Sequence, residues 1–189
     1  MSLIPLGFWA ASGGGAAGGF DLLETQTLAS SAASVTFTGL DSYSDYKHLQ
    51  IRAIARDNRY NPLSLSYFRL NGATTGYGLG HSMYVDGATA GAVYSAQIGA
   101  SSYMETFDNF TGATAVVGNY GVAVLDILDF SNTSKYTTTR LLGGNANGTT
   151  GQINIKSGLY MNTAAITSIA FTSTTSFVSG SRWSLYGVK

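Results

Sequence analysis

At 189 residues the chain is long enough to bury a core without covalent staples, and with no cysteine it neither builds a disulfide scaffold nor does thiol chemistry. Ten basic and ten acidic residues cancel, and the charged fraction of 11% is far below the roughly 25% usual for soluble domains, so no bulk charge draws the chain to nucleic acid. A surface so poor in charge is either rich in Ser, Thr, Asn and Gly or covered by neighbours, and the sequence carries signs of both.

Residues 1–19 read as an extended arm ahead of one β domain over residues 20–189. Leu3, Ile4, Leu6, Phe8 and Trp9 form an apolar tip, joined to the rest by a glycine and alanine tether from Gly13 to Gly19. Glycine loses the most backbone entropy on ordering, and chain ends fray unless something ties them down. The tip is therefore expected to bind a partner, another protein chain. No Lys or Arg precedes it and its apolar run is short, so neither a signal peptide nor a membrane span is expected. Gly13, Gly14 and Gly15 form no phosphate loop, because no Gly-Lys-Ser/Thr and no helix follow them.

From Phe20 onward the apolar residues alternate with period two and no stretch has helical period, which predicts an all-β fold. Leu49, Ile51, Ala53 and Ala55 fall on one face of a strand, and His48, Gln50, Arg52 and Arg56 on the other. Similar patterns run over Leu22–Leu28, Val35–Thr38, Leu63–Leu70, Val122–Phe130, Gln152–Tyr160, Ile166–Ser173 and Arg182–Val188. Roughly eight strands is the number of a jelly-roll-like antiparallel β-sandwich. Asn71-Gly72, Asp86-Gly87, Gly143-Gly144 and Asn147-Gly148 supply turn residues that tolerate positive φ. Between Gly72 and Gly121 the alternation weakens, and irregular strands with long loops are expected there.

Residues that could carry chemistry form no recognisable set. His48 and His81 are the only histidines, and no H-x-H or H-E-x-x-H spacing occurs, so no metal or other cofactor is expected. Gly80-His81-Ser82-Met83-Tyr84 begins like a nucleophile elbow but lacks its second glycine. Asp126 and Asp129 lie an odd number of residues apart. On one strand they would face opposite sides, Asp126 with Val124 and Leu128 and Asp129 with Leu125 and Ile127, and could not flank one glycosidic bond. The two glutamates, Glu24 and Glu105, are distant in sequence. Asn109, Asn132 and Asn147 sit in N-x-Ser/Thr sequons, which without a secretory signal read as chance. Tyr77, Tyr84, Tyr94 and Tyr103, in the weakly patterned region, are candidates either for packing or for contact with a partner.

The closing residues Ser181-Arg182-Trp183-Ser184-Leu185-Tyr186-Gly187-Val188-Lys189 resemble the final strand of a group of tailed-bacteriophage virion proteins ending S-R-aromatic-x-L-Y-G-I/V-K. Leu22-Leu23-Glu24-Thr25, Val35-Thr36-Phe37 and Tyr46-Lys47-His48-Leu49-Gln50-Ile51-Arg52 resemble that group's opening strands, and Ile166-Thr167-Ser168-Ile169 its penultimate one. The resemblance spans Phe20 to Lys189 and is weakest in the middle. It implies a jelly-roll module without catalytic residues that cements capsid subunits or forms part of a tail, baseplate or fibre. The expectation is a non-enzymatic virion structural protein, foremost a capsid cement or decoration protein assembled in the host cytoplasm, binding the major capsid protein or tail proteins. A homotrimer is expected, with no nucleic acid, membrane or cofactor as partner. A host-glycan-binding β-sandwich is the competing reading from another class.

Overall fold

The alternating apolar pattern becomes antiparallel strands in the computed structural model, which describes residues 19–78, 80–86, 92–98, 102–104, 110–146 and 151–189. The strands are β1 (Phe20–Thr27), β2 (Ala32–Thr38), β3 (His48–Ala55), β4 (Ser66–Leu70), β5 (Gly80–Asp86), β6 (Ala92–Ile98), β7 (Gly121–Leu128), β8 (Thr137–Ala146), β9 (Gly151–Tyr160), β10 (Ser168–Phe177) and β11 (Arg182–Val188). Among the described residues the one helical element is a single 3-10 turn, Leu40–Tyr43. The proposed arm tip, Leu3, Ile4, Leu6, Phe8 and Trp9, lies outside the described residues.

One sheet has eight strands in the order β1-β11-β3-β7-β8-β9-β5-β6, and the other has three in the order β2-β10-β4. Ser102–Met104 runs beside β4, with the Met104 amide donating to the Phe68 carbonyl at 2.9 Å and Arg69 Nε to the Ser102 carbonyl at 3.0 Å. That segment occupies the place of a fourth strand in the smaller sheet. Set aside β5, β6, β8 and β9, and the two sheets follow the jelly-roll order: first, eighth, third and sixth strands in one, second, seventh, fourth and fifth in the other. The protein is thus a jelly-roll-like sandwich whose larger sheet is widened by β8, β9, β5 and β6.

The sheets meet through apolar residues of period two. Leu49, Ile51, Ala53 and Ala55 of β3 are all buried, as are Leu125 and Ile127 of β7, and they face Phe37 of β2, Phe68 and Leu70 of β4 and Ile169 and Phe171 of β10. Trp183 lies at the centre. Its ring is fully buried, edge-on to Phe177 at 4.7 Å and to Phe110 at 6.1 Å, and tilted against Phe171 at 6.3 Å. As the alternation predicts, Leu185 joins Trp183 inside while Arg182 is exposed and Tyr186 half-buried. Gly187 is required by close approach: a Cβ there would enter the Tyr46 ring.

Three sequence expectations are corrected. Gly143-Gly144 is no turn but lies within β8, paired with Asn154 and Ile153, and β8 itself was not read from the pattern. Asn71-Gly72 does turn, with φ of 52° and 63°. Arg56 falls just beyond β3 and is buried instead of sharing the solvated face: its guanidinium donates to the carbonyls of Val116, Asn119, Ala113 and Ala115 at 2.7–3.1 Å. A fork with five donors satisfies a loop that has no ladder of its own. Finally, the weakly patterned region contains two regular strands, β5 and β6, paired as a hairpin from Gly80↔Ile98 to Asp86↔Ala92.

Trp183 supplies the first prediction. Its indole N–H has no hydrogen-bond partner, so its contribution is packing alone. Trp183→Ala is expected to cost about 3–5 kcal/mol of unfolding free energy in urea denaturation, and Trp183→Phe clearly less, because Phe keeps most of the contacts and removes an unsatisfied buried donor.

Candidate functional site

The outer side of the larger sheet is where this protein departs from the usual partition of residues. In β9 the inward positions carry Asn154 and Lys156, both buried, while Ile153 and Ile155 point outward with 59% and 46% of their surface exposed. A strand that is half-buried in a self-sufficient domain has the opposite arrangement, and a one-residue change of register would produce it. Asn154 and Lys156 each interact with another group, and the register is set by the ladders to β8 and β5.

Pairing extends the outward apolar side chains across neighbouring strands. Ile155 stands opposite Leu142 of β8 and Met83 of β5, and Leu142 in turn opposite Val124 of β7. One row over, Ile153 faces Val85 on one side and Gly144 on the other, and beyond Gly144 come Val122 and Ile54. Leu142 is 51% exposed, and Met83, Val85, Val122 and Ile54 are exposed as well. Cross-strand neighbours lie about 4.5–5.5 Å apart, so these residues form one continuous aliphatic face over five strands. Two shallow grooves indent it. One of about 350 Å³ lies between Val124, Leu142, Ile155 and Arg140, the other of about 260 Å³ between Val85, Ile153, Asn145 and Gln152.

A polar strip borders this face. Arg140 donates twice to Asp126 Oδ2, at 2.8 and 3.0 Å, Gln50 Nε2 donates to Asp126 Oδ1 at 2.7 Å, and Arg52 Nε donates to Gln50 Oε1 at 2.8 Å. The Arg52 guanidinium lies over Tyr186 at 4.3 Å and Phe20 at 5.1 Å. Each ionised group in the strip is therefore matched by a partner within it.

The other sequence candidates separate. Asp126 points outward as expected and pairs with Arg140. Asp129 does not share the face of Leu125 and Ile127: β7 ends at Leu128, and Asp129 turns into a left-handed conformation at φ 49°. There its carboxylate bonds Lys135, and its backbone N–H donates to His48 Nδ1 at 2.9 Å. His81 lies on β5, opposite Ser157, far along the sheet from His48. Tyr77 is buried, its hydroxyl bonded to the Ala73 carbonyl at 3.1 Å and its ring beside Tyr160 at 5.2 Å. Tyr103 stacks on Tyr67 at 4.5 Å. Glu105, Asn109 and Asn147 lie outside the described residues. Sequence reasoning passed over a buried carboxylate, Asp57, which accepts from Ser64 Oγ at 2.6 Å, Ser173 Oγ at 3.1 Å and the Arg59 amide at 3.1 Å. Both serine hydroxyls donate hydrogen bonds to Asp57 Oδ2, which ties β10 to the loop before β4. Among the described residues no group of three His, Asp or Glu could hold a metal ion.

The aliphatic face was not singled out from the sequence. The alternation of Ile153 with Ile155 and of Met83 with Val85 is visible there, but which alternate positions face outward depends on neighbours far along the chain.

Comparison with protein-family models and with curated proteins finds no match. Among solved structures, exo-inulinase from Aspergillus awamori is similar with a TM-score of 0.41 and 14% identity, covering 89% of this chain and 29% of that one. The chain spans less than a third of the length of that enzyme.

Two carboxylates beside the His48 end of the larger sheet generate a pH prediction. The Lys135 ammonium holds the Asp129 carboxyl below its usual value, with smaller help from His48 and Lys47, and hydrogen bonds from Lys189 and Tyr46 do the same for Asp21. A depressed folded pKa adds stability that is fully present above the unfolded value, near 3.8, and is lost as pH falls through the folded one. Melting temperature is therefore expected to fall below about pH 4 on account of these groups. The fall should be smaller in Asp129→Asn, measured by thermal melts from pH 2 to 7 in one buffer series.

Proposed function

We propose that this protein is a non-enzymatic structural component of a tailed-bacteriophage virion, foremost a capsid cement or decoration protein, working by adhesion through buried surface. The observation that carries the adhesive part is the aliphatic outer face. Contiguous apolar patches of this kind mark association sites on otherwise soluble domains. The phage assignment rests on the resemblance of the closing residues Ser181–Lys189, and of Leu22–Thr25, Val35–Phe37, Tyr46–Arg52 and Ile166–Ile169, to virion proteins. The jelly roll suits a module added in many copies to a shell. Symmetry then multiplies modest contacts into tight attachment through avidity.

In this reading the arm, residues 1–19, engages the major capsid protein or a tail protein, with Leu3, Ile4, Leu6, Phe8 and Trp9 as its contact residues. The tether separates those side chains from a domain whose first strand begins at Phe20. Folding and attachment should therefore be separable. A tail, baseplate or fibre position is the alternative, and stoichiometry distinguishes it: a cement protein scales with the major capsid protein, a tail component does not.

The test is removal of residues 1–19 and, more finely, Phe8→Ala with Trp9→Ala. The truncated protein is expected to melt within a few degrees of the full chain and to be absent from purified particles. Two interface aromatics are each worth about 2 kcal/mol or more, enough to lower occupancy sharply. Unchanged occupancy on purified virions would remove the arm as the anchor, and absence of the full chain from virions would sink the reading itself.

A further inference from the structure

We infer that the aliphatic outer face of the larger sheet is covered by a second copy of this chain. The inference rests on reading that face as adhesive and adds its occupant.

Three observations favour a copy of the chain. The first is extent. The half-exposed aliphatic side chains from Ile54 across to Val85 present on the order of 500 Å² of apolar surface. That is toward the upper end of the roughly 300–600 Å² of the largest patch on a typical monomer, a size often functional, and with the polar strip added it approaches the roughly 800 Å² per partner of a stable protein interface.

The second is shape. Five adjacent strands carry the patch, so it is a broad pleated surface best matched by another broad pleated surface packed about 10 Å away. The grooves beside Ile155 and Ile153 are open receptacles for side chains of the mate, and the missing side chain at Gly144 leaves a notch between Val122 and Ile153.

The third is charge. The bordering strip contains both signs, with Asp126 bonded to Arg140. Once Asp126 and Arg140 pair, Arg52 is the one ionised group of the strip without an opposite charge in it, so two identical faces meet with little like charge between them. A strand such as β9, with Asn154 and Lys156 inside and Ile153 and Ile155 outside, is then an ordinary interior strand once its mate is in place.

The test uses the purified full chain. Sedimentation equilibrium and light scattering over a wide concentration range are expected to give a multiple of the single-chain mass of 19.8 kDa. Leu142→Asp combined with Ile155→Asp should raise the dissociation constant more than tenfold while far-UV circular dichroism stays unchanged. Should that pair unfold the domain, Ile155→Thr, which keeps a β-branched side chain, provides the milder step in the same direction. Because the chain has no cysteine, Ile153→Cys gives a second readout: oxidation should yield a covalent dimer, and Thr38→Cys, on the smaller sheet, should not.

A single-chain mass at every concentration overturns the inference. So does a multimer that is indifferent to the face variants, or one that disappears only when residues 1–19 are removed, which would make the arm the occupant. The virion reading is decided separately by particle composition. Chains that self-associate through this face and are absent from particles would sink that reading alone, and monomeric chains found in particles would sink only the present inference.

Discussion

The position of β11 between β1 and β3 is the constraint on which the rest of the structure depends. It brings residues from the two ends of the described domain into neighbouring ladders, Phe20 with Val188 and Thr27 with Arg182, and delivers Trp183 to the midpoint between the sheets. Nearly every contact this makes is distant in sequence, so no half of the sandwich can complete its core alone. The ring of Trp183 reaches Phe171 and Phe177 on β10, which in turn pairs with both β2 and β4. One side chain thus couples the closing strand to the whole smaller sheet. Loop closure of this length is entropically demanding, and the dense aromatic cluster is what offsets it.

The sequence displays this half of the fold clearly because its strands obey the simplest rule. Leu49, Ile51 and Ala53 alternate with His48, Gln50 and Arg52, as Trp183 and Leu185 do with Arg182, Ser184 and Tyr186, and period two alone identifies both apolar faces. Where the rule has another cause, the reading failed. Gly143-Gly144 looks like a turn by composition, but in β8 the two glycines sit against Asn154 and Ile153, and a Cβ on Gly144 would press on the Gln152 carbonyl. Close packing of backbone calls for the same residue as a positive φ, and sequence does not distinguish the two. Arg56 continued the polar parity of β3 on paper. Its actual place is decided by a loop about sixty residues on that needs donors for four carbonyls.

The aliphatic face was illegible for a related reason. Period two says that Ile153 and Ile155 share a side with each other; it does not say which side. In β3 and β7 the apolar side faces the smaller sheet, whereas β9 and β5 lie beyond the three strands of that sheet, in the widened part of the larger one. The buried side of β9 is covered in part by Met104 of the segment beside β4, which meets Gly158. The polar residues Asn154 and Lys156 are buried, and the aliphatic ones remain outward. The widening by β8, β9, β5 and β6 is therefore what converts a common sandwich into one with an apolar exterior.

Such an exterior has a cost in isolation. An exposed aliphatic sheet face promotes nonspecific association, and sequences usually interrupt it with charge. Here the interruption is confined to one border, where Arg140, Asp126, Gln50 and Arg52 are locked together and Arg52 is stacked between Tyr186 and Phe20. A strip whose charges are already satisfied adds little attraction of its own, but it penalises any partner that would bury it without offering equivalent bonds. Specificity would then come from the border and affinity from the aliphatic centre. In the proposed assembly this separates two tasks: the rigid face selects and holds a sister copy, and the tethered apolar tip remains available for the foreign surface to which the assembly attaches.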